Sequence, residues 1–161
     1  RHPDVASSLN TIAMWTTEEG GYGEAEVLLR ESVAMNTELL GPGHPRTAWA
    51  GALLARALAR NGGAEEAFAI AASAHEALAT ALTESHWRTA VAANAEGEAL
   101  AALRRYADAE PLLVASFDIL NQDPSATPIF VRDAAAVLAD TYRKWGRPEE
   151  AERLLALSQE D

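Results

Sequence analysis

Apolar side chains recur every three or four residues along almost the whole chain, which is the spacing of one face of an α-helix. Typical sets are Val5, Leu9, Ile12 and Ala13, and then Leu53, Leu54, Ala55 and Leu58. No window shows the sustained period of two that is typical of a half-buried strand. The single β-like run, residues 129–131, follows Pro128, where a helix is expected to begin. The pattern therefore predicts an all-α protein.

The pattern also repeats with one period. His2, His44 and His86 lie 42 residues apart, and so, independently, do Ala25, Ala67, Ala109 and Ala151. Two unrelated markers that keep one register across the chain indicate tandem repeats. We place four repeats, over residues 2–43, 44–85, 86–127 and 128–161, within a single domain.

Each repeat is predicted to hold two helices separated by breaks. The linker between repeats, Gly41-Pro42-Gly43-His44-Pro45 in its fullest copy, ends in a proline at the first helical position, and the preceding histidine is expected to cap the helix. Inside the repeats, left-handed helix ends are expected at Gly20-Gly21, Gly62-Gly63 and Gly146. The second helices are predicted over 24–40, 64–82, 107–120 and 149 to about 158.

Small residues occupy matching positions in the paired helices. They are Ala13, Ala55, Gly97 and Ala139 in the first helices, and Ala25, Ala67, Ala109 and Ala151 in the second. We expect the helices of each repeat to pack closely there and stacked repeats to share one core. The third repeat is the least regular, because Glu96 lies where the other repeats have Ile12, Leu54 and Leu138, and Arg104 replaces the turn glycine.

Three motifs carry a family resemblance. Residues 2–13 read His-Pro-Asp-Val-Ala-x-x-Leu-Asn-x-x-Ala, Gly20-x-Tyr22-x-x-Ala25-Glu26 opens a second helix, and Leu40-Gly41-Pro42-Gly43-His44-Pro45 links two repeats. At these residues the chain resembles the tetratricopeptide repeat (TPR), in the 42-residue form of kinesin light chains. Residues 142–152 resemble the TPR tails of bacterial serine/threonine protein kinases, and the heavy use of alanine and arginine indicates a bacterial source. The resemblance implies a right-handed superhelical solenoid of four helix-turn-helix repeats.

The resemblance also implies a function. Family members hold an extended peptide or a partner's helix on the concave face that their first helices line. Helical periodicity directs four residues of each first helix toward this face: Ser7, Asn10, Met14, Thr17, Trp49, Ala52, Arg56, Ala59, Val91, Asn94, Glu98, Ala101, Asp133, Ala136, Asp140 and Arg143. The candidate groove residues are Asn10, Met14, Trp49, Arg56, Arg60, Asn94, Glu98 and Asp140, where Arg60 lies one turn after Arg56. In the kinesin light chain form, asparagines like Asn10 and Asn94 bond the backbone of a ligand. The alternative is that these two asparagines lie on the surface and bond only water.

Trp49, Arg56 and Arg60 form a basic and aromatic cluster in an acidic protein. Arginine forks onto carboxylates and tryptophan is a common interface anchor, so this cluster predicts an acidic, aromatic-containing peptide as the ligand. The alternative is that both arginines pair with glutamates of the array itself. Trp15 and Trp145 lie at other repeat positions and are expected to pack in the core or at helix ends.

Charge and composition narrow the range of partners. The net charge is −11 and no basic face is visible, which argues against DNA or RNA. No run of 18 apolar residues predicts a membrane span, and the lack of cysteine excludes disulfides and thiol chemistry. His75-Glu76 lacks the second histidine of a zinc motif. We therefore expect a cytoplasmic protein without catalytic residues, metal or cofactor.

Two roles stay open at this point. The first is a peptide- or protein-binding module that uses the concave face. The second is a regulatory or assembly domain that docks on its own parent protein, for example a serine/threonine kinase, or associates with itself through its N-terminal end. The chain starts at Arg1 without an initiator methionine, so we interpret it as part of a longer protein, in which any catalytic domain would lie upstream.

Overall fold

Histidine side chains start the first helices of three repeats. The Nδ1 atoms of His2, His44 and His86 accept hydrogen bonds from the backbone N–H groups two residues later, at 3.2, 3.1 and 3.1 Å. Each histidine has the extended backbone of an N-cap residue. The prediction that these histidines cap helices is confirmed. Thr127, at the start of the fourth repeat, makes no such side-chain bond.

A computed structural model describes residues 2–157, which form eight α-helices and, in that range, no strand. The helices are α1 (Pro3–Glu18), α2 (Tyr22–Leu40), α3 (Pro45–Arg60), α4 (Ala64–Ala81), α5 (Trp87–Ala102), α6 (Tyr106–Gln122), α7 (Pro128–Lys144) and α8 (Pro148–Leu157). These bounds confirm the predicted all-α array and agree closely with the predicted second helices. The expected helix end near residue 158 lies outside the described residues.

The turn inside each repeat uses one left-handed residue. Gly20, Gly62 and Gly146 have φ angles of 85°, 92° and 82°. Glycine adopts this conformation without the steric cost that a Cβ atom adds. In the third repeat the same position is Arg104, which takes a φ of 62°. The turn geometry is therefore kept although the residue is unfavourable for it.

The small residues lie where the two helices of a repeat meet, as predicted. Ala13, Ala55 and Ala139 are buried, and the four second-helix alanines from Ala25 to Ala151 are fully buried. Gly97 shows how tight the contact is, because a Cβ atom added there would lie 2.7 Å from Cδ2 of Leu113. Close approach at this position therefore depends on the absence of a larger side chain.

The repeats stack through their helices. The second helix of one repeat packs on the first helix of the next, as α2 does on α3 and α4 does on α5. Trp15 on α1 is 57% exposed, whereas Ala57 and Ala99, at the same repeat position, are fully buried. This corrects the expectation that Trp15 packs in the core or at a helix end. Trp145, in contrast, stacks on Tyr106 at the end of α7, as expected.

Candidate functional site

An ion-pair bridge crosses the surface formed by α1, α3, α5 and α7, which we call the first-helix face. Arg56 and Arg60 on α3 both bond Asp133 on α7, with shortest N–O distances of 2.7 Å. Arg60 also forks onto Glu98 of α5 through bonds of 2.7 and 3.2 Å. We call these four residues the ion-pair bridge. It ties the second repeat directly to the third and the fourth.

The bridge is largely shielded from water. The side chain of Arg56 is 2% exposed and that of Asp133 is 12% exposed. Burial alone would raise the pKa of Asp133, but the charges of Arg56 and Arg60 outweigh it and hold that pKa below its usual range. Burial raises the pKa of Glu98, which Arg60 offsets only in part. Asp133 is therefore the firmly ionised acid of the bridge.

The arginines of the bridge are used inside the array. Arg56 has a further acidic neighbour in Glu18, at 3.5 Å, in addition to Asp133. The structure thus shows the alternative that the sequence left open, in which Arg56 and Arg60 pair with acids of the same chain. Neither guanidinium is free to neutralise a ligand unless the bridge opens.

One pocket lies at the N-terminal ends of α3, α5 and α7, and we call it the aromatic pocket. Its volume is about 360 Å³. Its lining is Ser7, Asn10, Thr11, Met14, Asn36, Pro45, Arg46, Trp49, Leu53, Leu78, Leu82, Trp87, Arg88, Thr127 and Phe130. Three of the predicted groove residues, Asn10, Met14 and Trp49, are brought together here.

Three aromatic rings from three successive repeats meet in the aromatic pocket. The ring centroids of Trp49 and Trp87 are 5.4 Å apart, and those of Trp49 and Phe130 are 5.5 Å apart, both edge to face. Phe130 is buried, whereas both tryptophans keep part of their surface exposed. The pocket therefore has a rigid apolar wall with two indole surfaces that a ligand can reach.

The cations of the aromatic pocket differ from those of the bridge. Arg46 and Arg88 are exposed, and the structure places no carboxylate within ion-pair distance of either among the described residues. The guanidinium of Arg88 lies over the rings of Trp87 and Trp49, at 5.1 and 5.5 Å from their centroids. None of the lining residues is acidic. In a chain of net charge −11, this pocket is locally basic.

Two amides line the aromatic pocket. Asn10 on α1 is 8% exposed and Asn36 on α2 is 2% exposed. Their Oδ1 atoms are buried and have no hydrogen-bond partner among the described residues. A buried acceptor without a partner carries a desolvation cost of about 1–3 kcal/mol.

A second pocket lies toward the C-terminal ends of the first helices, and we call it the charged pocket. Its volume is about 410 Å³, and its lining includes Arg60, Glu98, Asp133, Asp140 and Lys144. Asp140 bonds Lys144 at 2.6 Å, so most of the charges in this pocket are already matched.

Asn94 lies apart from both pockets. Its Nδ2 atom donates to Oγ of Ser116 on α6 at 3.0 Å, and the residue is 3% exposed. Its amide is therefore used inside the third repeat, in contrast to the expectation that it lines the groove. Asn10, at the same repeat position, reaches a pocket because α2 presents no such serine bond to it: Ser32 bonds the carbonyl of Ala6 instead.

The sequence interpretation missed several pocket residues, chiefly Trp87, Arg88 and Phe130. Trp87 lies one helical turn before Val91, which the periodicity had assigned to the groove, and Phe130 lies one turn before Asp133. Extending the predicted groove by one turn toward the helix starts would have included both aromatic residues. No sequence signal separates the free Arg88 from the paired Arg56.

Other chemistry has little support among the described residues. No cluster of three or more histidine, cysteine or acidic side chains is arranged to hold a metal ion in residues 2–157. No helix of that part of the chain has the length and apolar character needed to cross a membrane. His75 bonds Glu96 through Nδ1 at 2.9 Å, and this bond raises the pKa of His75.

Stacked helix pairs of this kind define the chain as an α-solenoid, a class of repeat scaffold. Residues 4–80 match the family model of the tetratricopeptide repeat. The first two repeats are thus similar to that family, and tetratricopeptide repeats are generally protein-interaction scaffolds. No curated protein matches the sequence. The segment that resembles kinase tails lies outside the matched residues, so that resemblance stays a prediction.

Solved structures extend the likeness to nearly the whole chain. The putative kinesin light chain of Podosopora anserina, which has nearly identical TPR-like repeats, superposes with a TM-score of 0.73 at 25% identity, covering 99% of this chain and 78% of that one. BtubC (BKLC) from P. vanneervenii gives a TM-score of 0.72 at 16% identity, covering 99% and 64%. This second likeness shows the fold alone. The kinesin-light-chain-like form of the repeat is thus shared over the described array.

Proposed function

We propose that this array is a peptide-binding scaffold whose ligand site is the aromatic pocket on the concave side. The observation that carries the proposal is the local reversal of charge. In a protein of net charge −11, Arg46 and Arg88 lie beside exposed indole surface, no carboxylate of residues 2–157 pairs with either, and the pocket lining contains no acid. The ligand that fits is an acidic segment with an aromatic or large apolar side chain.

The apolar part of the ligand would be held by the rings. Trp49 and Trp87 each present part of a ring to the pocket, and Phe130 supports them from behind. A ring or a branched apolar chain placed there would be desolvated between rigid walls, which is the environment of most binding hot spots. The three rings come from three repeats, so binding would depend on their stacking.

The acidic part would be held by the two arginines. The guanidinium of Arg88 lies within 5.5 Å of the centroids of both tryptophan rings, and its N–H groups would bond a carboxylate of the ligand. Arg46 lies on α3, the neighbouring first helix, and lines the same pocket. The amides of Asn10 and Asn36 are 8% and 2% exposed, so the main chain of a ligand would reach them only if the side chains moved on binding.

The proposal changes the predicted chemistry in one respect. The sequence assigned recognition of the acidic ligand to Arg56 and Arg60, whereas the pairing of those two residues with Asp133 and Glu98 favours Arg46 and Arg88 instead. The bridge would then act as support, because it holds α3 and α7 in the positions that bring Trp49 and Phe130 together.

A selection experiment tests the proposal. The protein serves as bait for a displayed library of random peptides, and the enriched sequences are determined. We expect peptides with several acidic residues around an aromatic residue. A parallel selection with the double variant Arg46→Glu, Arg88→Glu should lose them. Enrichment of neutral or basic peptides by the native protein, or equal enrichment by both baits, would contradict the proposal.

A role in assembly is the second candidate, and one observation favours it. Val5, Ile12 and Trp15 on α1 are exposed apolar side chains, at 47%, 53% and 57%. None of the three lines the aromatic pocket, so this surface does not compete with the proposed ligand site. Docking on a parent protein has no comparable support among the described contacts and stays an expectation.

A further inference from the structure

The aromatic pocket holds two arginines that occupy one repeat position. Arg46 and Arg88 lie 42 residues apart, and each follows the histidine that caps its helix by two residues. Both arginines are exposed and both line the pocket. In the first and fourth repeats the same position holds Asp4 and Phe130. The pair of cations is therefore a property of the two middle repeats.

The two arginines converge on the indole ring of Trp49. Arg46 precedes Trp49 by three residues on α3, so the two side chains share one face of that helix. Arg88 belongs to α5, yet its guanidinium lies 5.5 Å from the ring centroid of Trp49. The axes of packed helices are about 8–10 Å apart, so long side chains from two neighbouring helices can reach one group between them. Both guanidinium groups can therefore contact a single anion beside Trp49.

A doubly charged anion matches this pair of arginines better than a carboxylate does. Within residues 2–157 no carboxylate lies at ion-pair distance from Arg46 or Arg88, and the pocket lining contains no acid. One carboxylate carries a single negative charge and leaves the second arginine uncompensated. A phosphate ester carries about −1.5 to −2 charges at pH 7 and has three acceptor oxygens, so two guanidinium groups can bond it at once.

The helix ends around the pocket add to its positive potential. Residues from the first turns of α3, α5 and α7 line the pocket, and the N-terminal end of a helix is the positive end of its dipole. Histidine side chains cap α3 and α5, whereas Thr127 makes no side-chain cap bond at the start of α7. Thr127 is exposed and lines the pocket, so its hydroxyl can donate a hydrogen bond to a phosphate oxygen.

The distance between cation and rings indicates that one ligand side chain supplies both the anion and the apolar group. The guanidinium of Arg88 lies 5.1 Å from the ring centroid of Trp87 and 5.5 Å from that of Trp49. Consecutive side chains of an extended ligand point to opposite sides, and those on the same side are about 6.6 Å apart. A ring and an acid on separate residues therefore fit this site less closely than a side chain that contains both.

We propose that the aromatic pocket recognises a phosphotyrosine within an extended segment of a partner protein. The phenyl ring packs on Trp49 and Trp87, and the phosphate bonds Arg46 and Arg88. A segment with the unmodified tyrosine binds weakly, because both arginines then stay uncompensated. This inference rests on the proposed function, since it names the group that makes the bound peptide both acidic and aromatic.

Calorimetry with synthetic peptides tests the ligand group. Three peptides share a background of glycine and serine: one has a central tyrosine, one has phosphotyrosine there, and one has phenylalanine and phosphoserine two positions apart. We expect the phosphotyrosine peptide to bind at least about tenfold more tightly than either of the others. Equal or weaker binding of the phosphotyrosine peptide overturns the inference.

Single variants test where the phosphate binds. Arg46→Gln and Arg88→Gln should each weaken binding of the phosphotyrosine peptide by at least about tenfold, because each removes hydrogen bonds to a charged group. Arg132→Gln is the matched control, since Arg132 is exposed and lines neither pocket. Circular dichroism confirms that each variant is folded. Equal affinities of the three variants for this peptide overturn the inference.

An acidic, aromatic-containing peptide from the selection separates this inference from the proposed function. If that peptide binds and both pocket variants weaken it, whereas phosphotyrosine brings no gain over tyrosine, the inference is overturned and the proposed function stands. If neither the selected peptide nor the phosphotyrosine peptide depends on Arg46 and Arg88, both are overturned.

Discussion

Comparison of equivalent positions in the four repeats identifies one residue, Arg104, with a strained backbone conformation. Arg104 occupies the position where Gly20, Gly62 and Gly146 turn the chain, and it takes the same left-handed conformation with a φ of 62°. A side chain with a Cβ atom costs about 1–2 kcal/mol in that region. The position was predictable from the 42-residue period, because the departure from glycine is visible in the sequence.

Arg104→Gly is therefore expected to stabilise the protein. The relief of steric strain, less the greater entropy of glycine in the unfolded chain, should raise the free energy of unfolding by up to about 1 kcal/mol. Urea denaturation, monitored by circular dichroism, measures this change in the free energy of unfolding. The reciprocal variant Gly62→Arg should destabilise by about the same amount, and a loss of stability in Arg104→Gly would contradict this account.

Other residue-scale features were predictable in part. The three capping histidines follow from their place before the helix starts, and the structure confirms them. Trp15 was placed wrongly, because exposure depends on which helix covers a face and not on the residue alone. Arg56 and Arg88 look alike in sequence, yet Arg56 has Asp133 within 2.7 Å whereas Arg88 has only aromatic rings. Such long-range partners cannot be obtained from helical periodicity.

At the scale of helices, the pair α4 and α5 contains a titratable contact. Glu96 replaces the isoleucine or leucine of the other repeats and accepts a hydrogen bond from His75 of α4 at 2.9 Å. This hydrogen bond with Glu96 raises the pKa of His75 above 6.5, because it favours the charged imidazolium. The stabilisation is thus fully present below about pH 6.5 and is lost as the pH rises through the raised pKa of the folded state.

Glu96→Leu should reduce this pH dependence, and the remainder should come from Glu84, whose Oε2 lies 3.4 Å from Nε2 of His75. We expect the free energy of unfolding of the native protein to fall relative to that of the variant as the pH rises from about 6 to 8. Urea denaturation of both proteins at several pH values gives the difference between their free energies of unfolding. Glu76→Gln, which removes an exposed acid from α4, should leave the dependence unchanged. Parallel pH profiles of the native protein and Glu96→Leu would rule out the proposed coupling.

Two glycines lie inside first helices, and replacing each by alanine should change the stability of the protein in opposite directions. At Gly51 an added Cβ atom would meet Ile70 at 3.5 Å and Ala74 at 3.7 Å, which are ordinary contacts. Gly51→Ala should therefore stabilise by about 1 kcal/mol through helix propensity. At Gly97 the Cβ atom would lie 2.7 Å from Leu113, which is fully buried.

Gly97→Ala should consequently destabilise, since overpacking costs about 1–3 kcal/mol and exceeds the gain in propensity. The midpoint of urea denaturation of each variant, compared with that of the native protein, tests both predictions. Shifts of the same sign would show that the tight contact between α5 and α6 is not as described.

At the scale of the whole molecule, the bridge joins repeats that are not neighbours in sequence. Removing Asp133 would leave the buried Arg56 with only Glu18 at 3.5 Å. Asp133→Ala should therefore destabilise by about 3–5 kcal/mol, the cost of breaking a buried pair. Asp140→Ala is the control: its bond to Lys144 is exposed, so it should cost at most about 1 kcal/mol. Equal losses measured in urea would contradict a structural role for the bridge.

The fold was predictable at this scale, whereas the site was predictable only in part. The helical periodicity and the regular spacing of the turn glycines predicted the eight helices, because each of these signals is local and is repeated along the chain. The aromatic pocket joins Trp49, Trp87 and Phe130, which occupy three different repeat positions. Superposing the repeats in sequence therefore hides the cluster. It appears only when the stacking of the helices brings the residues together.

The measurement that tests the central claim most directly is the affinity of an acidic, aromatic-containing peptide from the selection, determined by calorimetry. Arg46→Glu with Arg88→Glu should weaken binding by at least about tenfold, a loss of roughly 1.4 kcal/mol or more. Arg104→Glu with Arg132→Glu makes the same change in net charge at exposed arginines outside both pockets, and it should have little effect. If the two double variants weakened binding equally, or if neither did, the aromatic pocket would not be the ligand site.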